Sequence, residues 1–175
     1  IKRYHEPKTY TAIDQNPKAI AYNHKVHAGL GIDFFVGDAQ SLDFPENHFD
    51  VILNIEASHC YPQQEAFFNS AHRVLKDDGA FLYADFRPPA DTRQLDEDLS
   101  AAGFKIKSKI DITPHVVRAL QRTSERYRAL AHKFSPKIFH PIMESFAAVE
   151  GSSIYNSFVN RERIYYSYCL VKTTD

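Results

Sequence analysis

Cysteine is scarce in this sequence, and the two that occur form no recognisable site. Cys60 and Cys169 are far apart in the 175 residues, so their spacing matches neither a disulfide framework nor a metal-binding motif. This usage is typical of proteins kept in a reducing compartment. We therefore expect a cytoplasmic location.

Long apolar runs and an excess of one charge are also absent. No apolar run approaches the ~20 residues that a membrane-spanning helix needs. The net charge of -1 provides no bulk attraction to nucleic acid or to an anionic membrane. We therefore expect neither nucleic acid nor a membrane among the partners, and the sequence leaves the oligomeric state open.

Methionine occurs once, at Met143, and the sequence starts at Ile1. We therefore expect the parent protein to contain residues upstream of this chain. The length suits one domain with a hydrophobic core and is too short for two domains of ordinary size.

Short apolar runs alternate with helical patterns along the first half. Residues 9–13, 33–36, 49–55 and 80–84 read as strands, because each is rich in bulky or β-branched residues and ends near polar ones. The run at 49–55 is apolar on both faces, as in a central parallel strand.

Helices are predicted between these strands. Asn16 and Pro17 suit the start of a helix that runs to about residue 28. Residues 62–78 carry an apolar stripe at helical spacing, with Gly79 placed for a left-handed cap. This alternation predicts an α/β fold with a doubly wound, mostly parallel sheet.

The second half of the sequence changes character. A helix over residues 91–102 precedes a half-exposed strand over 104–112, and residues 164–171 form the last predicted strand. Residues 113–160 lie between these two strands and contain a helix over 114–134 and a second over about 136–149. We interpret residues 113–160 as a helical lid insertion in a single domain.

Two acids follow neighbouring predicted strands. Asp14 suits the hydroxyls of a ribose, or it only helps to cap the following helix. Asp38 suits an exocyclic amine, or it only bonds its own backbone in a turn. Their occurrence together favours a nucleoside-binding site at the carboxyl ends of the strands.

The order of these motifs resembles the class I S-adenosylmethionine-dependent methyltransferases. The likeness covers roughly residues 9–85 and rests on Asp14, the Gly-Asp-Ala at 37–39, the Phe-Asp-Val-Ile at 49–52 and the Arg-Val-Leu-Lys-Asp-Asp-Gly at 73–79. It implies a Rossmann-like fold, S-adenosylmethionine as cofactor, and a final strand inserted antiparallel. The segment 56–62 is similar to small-molecule enzymes that methylate hydroxyls of lipid- or polyketide-like acceptors.

The same resemblance implies the residues that bind the cofactor. Asp14 would hold the ribose, Asp38 and Ala39 the adenine, and residues 54–56 the methionine end. The implied cofactor-binding residues are Asp14, Gln15, Asp38, Ala39, Gln40, Asn54, Ile55 and Glu56.

The family's glycine-rich loop, which precedes the position of Asp14, is absent from this sequence. Gly29 and Gly31 do not replace it, because they follow a helix and precede a strand. We therefore expect an N-terminally incomplete methyltransferase-like domain.

Two candidate catalytic residues follow the strand at 49–55. His59 can accept a hydroxyl proton during an in-line methyl transfer, or it only orders its loop. Glu56 is the alternative base or an anchor for the acceptor. We expect no metal site, since His115, His132 and His140 have no metal-ligand spacing.

Two further sets of side chains have two possible interpretations each. The row of Arg118, Arg122 and Arg126 suits a phosphate or carboxylate, but a solvated helix face is the simpler interpretation. Aromatic residues of the second half line either an apolar acceptor pocket or the core; they are Tyr127, Phe134, Phe139, Phe146, Tyr155 and Phe158.

Three functional hypotheses follow. The first is methyl transfer from S-adenosylmethionine to a small, hydrophobic, hydroxylated acceptor. The second is a truncated or degenerate binding module without catalysis, which the missing glycine-rich loop favours. The third, another nucleotide-dependent enzyme such as a dehydrogenase, leaves Asp38 and the block at 73–79 without explanation.

Overall fold

The structure, a computed structural model, describes residues 5–173. Their six strands are β1 (Thr11–Asp14), β2 (Asp33–Val36), β3 (Phe49–Ile55), β4 (Leu75–Arg87), β5 (Phe104–Asp111) and β6 (Ile164–Lys172). Their six α-helices are α1 (Pro17–Val26), α2 (Gln64–Val74), α3 (Thr92–Ala101), α4 (Thr113–Phe134), α5 (His140–Phe146) and α6 (Ser153–Val159).

The strands form one parallel pair and one mixed sheet. β1 pairs with β2 in parallel, while the larger sheet has the order β3-β4-β6-β5. β3 and β4 are parallel, and β6 runs antiparallel to both β4 and β5. The predicted α/β class and the antiparallel insertion of the last strand are therefore confirmed.

The core lies between the larger sheet and helices α2 and α3. Phe68 and Leu99 contribute fully buried side chains from these helices, and Phe81 and Leu170 do so from β4 and β6. Truncation of a buried phenylalanine such as Phe68 to alanine typically costs about 3–5 kcal/mol. This packing fixes the carboxyl end of β4, where a buried acid lies.

The boundary between α2 and β4 differs from the prediction. α2 ends at Val74, and Leu75 is already extended with φ of -78° and ψ of 137°. Gly79 has no positive φ and so forms no left-handed cap. Glycine is instead required there because an added Cβ would lie 2.7 Å from Leu75 Cδ1 and 2.9 Å from the Lys76 carbonyl.

The strand at 49–55 is also not the central, buried strand that the sequence predicts. Within residues 5–173, β3 pairs with β4 alone and lies at the edge of its sheet. Val51, Leu53 and Ile55 alternate along it and are all exposed. We call these three side chains the β3 edge row.

Helices α4, α5 and α6 connect β5 to β6. α6 was not predicted from the sequence; its N-cap is Ser152, whose side chain accepts a hydrogen bond from the Tyr155 backbone. Among the helices of residues 5–173, none combines the length and apolar character that crossing a bilayer requires.

His72, near the end of α2, makes stability pH-dependent. Its ring packs edge-on against Phe104, and its buried Nε2 has no hydrogen-bond partner within residues 5–173. Burial and, to a smaller extent, Lys172 hold the pKa of His72 below its usual 6.5. Below pH 6.5 the unfolded chain therefore binds more protons at this residue, and stability falls as the pH falls.

We therefore expect the free energy of unfolding to decrease from pH 7.5 to pH 5.5, and His72→Gln to flatten this decrease. Urea unfolding at several pH values measures both slopes. His5→Gln, at an exposed position outside any helix or strand, is the control. Equal slopes for His72→Gln and the unsubstituted protein would contradict the assignment.

Candidate active site

The ends of β1 and β2 place two carboxylates beside each other. Asp14 pairs in register with Val36 of β2. Asp38 lies two residues after Val36, just beyond the end of β2. Asp14 Oδ1 accepts a hydrogen bond of 2.7 Å from the Asn16 backbone. Within residues 5–173 its Oδ2 has no protein donor, which leaves an exposed carboxylate oxygen for a ligand.

Asp38 is held ionised by its own loop. Its Oδ1 accepts from the backbone and the side chain of Gln40, at 2.9 and 3.1 Å. The backbone bond first, then the Gln40 side chain and Gln15, hold the pKa of the Asp38 carboxyl below its usual value. Asp38 therefore offers a preorganised acceptor, next to Gln15 from the end of β1.

Gln40 links this loop to the start of α2. Its Oε1 accepts a hydrogen bond of 2.7 Å from the Gln63 backbone. Ala39 begins the same short helical turn and is half-buried, packed against the core. The loop after β2 is therefore anchored to α2 and to the core.

Asn54, near the carboxyl end of β3, has an unused acceptor. The side chain is buried, and its Nδ2 donates to the Tyr61 hydroxyl at 3.0 Å. Its Oδ1 is also buried but has no partner in the described part of the chain. A buried amide oxygen without a donor is costly, so this atom suits a ligand that carries an N–H or O–H group.

Glu56 lies just beyond β3 in a strained conformation. Its φ is 54°, in the left-handed region, which residues other than glycine seldom adopt. The backbone N–H donates to Ala84, and Oε2 accepts from the Tyr165 hydroxyl at 3.2 Å. Burial and the nearby Glu56 raise the pKa of Tyr165, so that its hydroxyl stays a donor.

His59 and Asp85 form a directed pair. His59 Nδ1 lies 2.8 Å from Asp85 Oδ1, and Asp85 is fully buried while 27% of the His59 side chain is exposed. Because a carboxylate only accepts, Nδ1 must carry the proton in this bond. The neutral ring then presents Nε2 as a free proton acceptor, which is the form that a general base requires.

A buried polar network holds Asp85 in place. Asp85 Oδ2 accepts from the Ser58 hydroxyl at 2.8 Å and from the His59 backbone at 3.0 Å. Arg87 donates to Ser58 Oγ and Tyr83 Oη, both at 3.0 Å, and its Nη1 lies 3.4 Å from Asp85 Oδ2. Burial raises the pKa of Tyr83 to about 12, so its hydroxyl stays protonated.

A cavity of about 460 Å³ opens beside His59. Its wall includes the polar side chains of Gln64, Gln94 and Arg163, together with the ring of Phe86. The Phe86 ring also lies 4.4 Å from the His59 ring. An acceptor in this cavity would reach the exposed side of the His59–Asp85 pair.

The structure places the sequence-predicted residues in two groups, each at the carboxyl ends of strands. Asp14, Gln15, Asp38, Ala39 and Gln40 lie beyond β1 and β2. Asn54, Ile55, Glu56 and His59 lie at or beyond the end of β3, with Ile55 exposed.

Sequence reasoning missed the role of Asp85 and of the network around it. Asp85 follows the same pattern as Asp14 and Asp38, an acid near the carboxyl end of a strand, so that pattern was the available signal. Ser58, Tyr83 and Arg87 gave no comparable signal.

The sequence matches the family model of a methyltransferase domain over residues 1–83. It is also 34% identical over 172 residues to a phthiotriol/phenolphthiotriol dimycocerosates methyltransferase of Mycobacterium tuberculosis, a match that covers 98% of this chain and 64% of that protein. A fatty-acid O-methyltransferase of Mycolicibacterium smegmatis is 30% identical over all 175 residues, which span 63% of its length.

The fold has close counterparts among solved structures. A putative sarcosine dimethylglycine methyltransferase from Galdieria sulphuraria superposes with a TM-score of 0.77 at 13% identity, covering 94% of this chain and 70% of that one. At that identity the likeness concerns the fold alone. The chain thus spans slightly less than two thirds of the curated relatives above and shares the architecture of this structure.

Proposed function

We propose that this chain, which belongs to the class I S-adenosylmethionine-dependent methyltransferase family, binds S-adenosylmethionine and transfers its methyl group to a hydroxyl of a lipid-like acceptor. The observation that carries the proposal is the His59–Asp85 pair, with Nδ1 held at 2.8 Å and no hydrogen-bond partner at Nε2 among residues 5–173. A methyl transfer to a hydroxyl needs a proton acceptor at that point, and this pair supplies one.

The residues at the strand ends fit the cofactor. Asp14 offers a free carboxylate oxygen for ribose hydroxyls, and Asp38, with the neighbouring Ala39 backbone, offers an acceptor and a donor for adenine. The partnerless Asn54 Oδ1 suits the ammonium group of the methionine end. These contacts, with Gln15, Gln40, Ile55 and Glu56 around them, are the proposed cofactor site.

The chemistry divides simply between the cofactor and the chain. When bound, S-adenosylmethionine supplies an electrophilic methyl group on a sulfonium sulfur. His59 Nε2 takes the hydroxyl proton, and Asp85 stabilises the charged imidazole that results. Glu56, fixed by Tyr165, anchors the acceptor hydroxyl, so that most of the rate comes from alignment.

The acceptor class rests on the relatives. One is named for phthiotriol dimycocerosates and another for fatty acids, and both names describe lipids. We propose that residues 113–160, as part of a single domain, cover such an acceptor, with aromatic side chains from α5 and α6 lining its path. Cys60 and Cys169 are free thiols, which supports the cytoplasmic location included in this proposal.

Asp14→Ala is expected to weaken binding of S-adenosylhomocysteine by about 10- to 100-fold, because a hydrogen bond to a charged group contributes about 1.5–3 kcal/mol. Titration calorimetry on the protein measures the affinity. Since Asp14 is exposed, the free energy of unfolding should change little.

Asp33→Ala, at the opposite end of β2, is the matched control and should leave the affinity unchanged. Unchanged affinity for Asp14→Ala would remove this residue from the site. Absence of binding by the unsubstituted protein would instead favour a degenerate module without catalysis.

A further inference from the structure

We propose that one long side of α4 docks onto the surface of an anionic lipid bilayer. The side consists of two adjacent rows, which we call the basic row and the apolar row. The basic row is His115, Arg118, Arg122, Arg126 and Lys133, and the apolar row is Tyr127, Leu130 and Phe134.

The spacing along the helix places each row on its own sector. Successive members of the basic row are 3, 4, 4 and 7 residues apart, and those of the apolar row are 3 and 4 apart. At about 100° per residue, such intervals keep side chains on one line, and the two lines lie about a quarter turn from each other. The 22 residues of α4 extend over about 33 Å.

The opposite sector of α4 attaches the helix to the domain. Ser124 and Ala131, seven residues apart, are buried. Ser124 Oγ accepts a hydrogen bond from the Glu150 backbone at 2.8 Å. The basic and apolar rows therefore face away from this attachment and toward solvent.

The apolar row is exposed to a degree that the fold of residues 5–173 does not explain. Tyr127 is 42% exposed, Leu130 39% and Phe134 74%, and Ile138 in the following turn is 79% exposed. Lys133 places its ammonium 5.3 Å from the centre of the Phe134 ring. An apolar side chain with a cation directly beside it matches the boundary between lipid headgroups and acyl chains.

Charge favours an anionic lipid surface as the occupant. α4 carries five arginine or lysine residues and one acid, Glu125, although the whole chain has a net charge of -1. In the described part of the chain, no acidic side chain forms a salt bridge with the arginines and lysine of the basic row. Cations beside an exposed apolar row are the pattern of helices that lie in a bilayer interface.

This surface revises the expectation of no membrane partner, which rested on bulk charge and on the lack of a spanning segment. The proposal concerns a peripheral contact and needs neither feature. It is independent of the proposed methyl transfer, because no residue of the two rows belongs to the proposed cofactor site or to the His59–Asp85 pair.

The test is co-sedimentation of the whole protein with vesicles of phosphatidylcholine alone and with vesicles that also contain phosphatidylglycerol. Binding to the anionic vesicles only, weakened by added salt, is expected. Arg118→Glu/Arg122→Glu/Arg126→Glu should reduce the partition coefficient about tenfold or more, and Phe134→Ser should reduce it without changing the salt dependence.

Lys105→Glu/Lys107→Glu is the control for charge, since both lysines are exposed on β5, away from α4. Circular dichroism and urea unfolding check that every variant is folded. Failure of the unsubstituted protein to bind anionic vesicles, or an equal loss in the β5 control, would overturn the proposal. The proposal would also be overturned if size-exclusion chromatography showed that Phe134 serves only to hold two copies of the chain together.

Discussion

Replacement of His59 by alanine is expected to lower kcat for methylation of a long-chain alcohol by about 10²- to 10⁴-fold, the usual contribution of a general base. The affinity for S-adenosylhomocysteine should change by less than about twofold, since the ring faces Asp85 and the cavity rather than the ends of β1 and β2. Single-turnover kinetics and calorimetry on the whole protein measure the two quantities separately.

The acceptor itself provides the sharpest control. A fatty acid is already ionised at neutral pH, because a carboxyl group has a pKa near 4. Methylation of a fatty acid should therefore lose much less activity in His59→Ala than methylation of the alcohol. An equal loss for both acceptors would mean that His59 positions the acceptor and does not take a proton.

Asp85→Asn tests the partner of His59 in the same assay. An amide can accept from Nδ1 but cannot stabilise the charged imidazole, so the alcohol reaction should slow while the fatty-acid reaction is spared. His5→Ala, at an exposed position outside any helix or strand, should leave both rates unchanged.

Replacement of Arg87 by methionine is expected to lower the free energy of unfolding by about 3–5 kcal/mol. Arg87 is buried, and its guanidinium donates to Ser58, to Tyr83 and to the Phe86 carbonyl, beside the buried Asp85. Its removal leaves a buried carboxylate without the positive charge that lies 3.4 Å from its Oδ2. Since domains are stable by about 5–15 kcal/mol, this loss should be obvious in urea unfolding.

Adding Asp85→Asn to Arg87→Met should recover part of the lost stability, because the unpaired charge is then gone. Arg93→Met is the matched control: its side chain is 83% exposed and pairs with Glu97 on the surface of α3. Surface pairs of this kind contribute about 0–1 kcal/mol. If Arg87→Met costs no more than Arg93→Met, the buried network does not stabilise the fold.

Much of the fold was accessible from the sequence because local signals agreed with the tertiary structure. Asn16 caps α1 as predicted, and β2 and β3 have the predicted bounds. The end of α2 was not accessible. The apolar stripe up to Leu75 and the position of Gly79 predict a helix to residue 78, but pairing of Leu75 with Phe49 draws the chain into β4 four residues earlier.

In the candidate site, too, some residues could be predicted from the sequence and others could not. Residues such as Asp38 and Asn54 follow from one rule, that ligands bind at the carboxyl ends of parallel strands. Arg87 and Tyr83 lie within an apolar strand, and their partner Ser58 is 29 and 25 residues away in the sequence. Tyr165 meets Glu56 across 109 residues. No local pattern encodes such pairings, which arise only when the sheet assembles.

The β3 edge row has a practical consequence for handling this chain. Val51, Leu53 and Ile55 form a bulky, uncharged ridge on a strand whose second edge has unpaired backbone groups within the described residues. Such a ridge is a template for any extended apolar segment in solution. Concentrated solutions of this chain should therefore aggregate during storage.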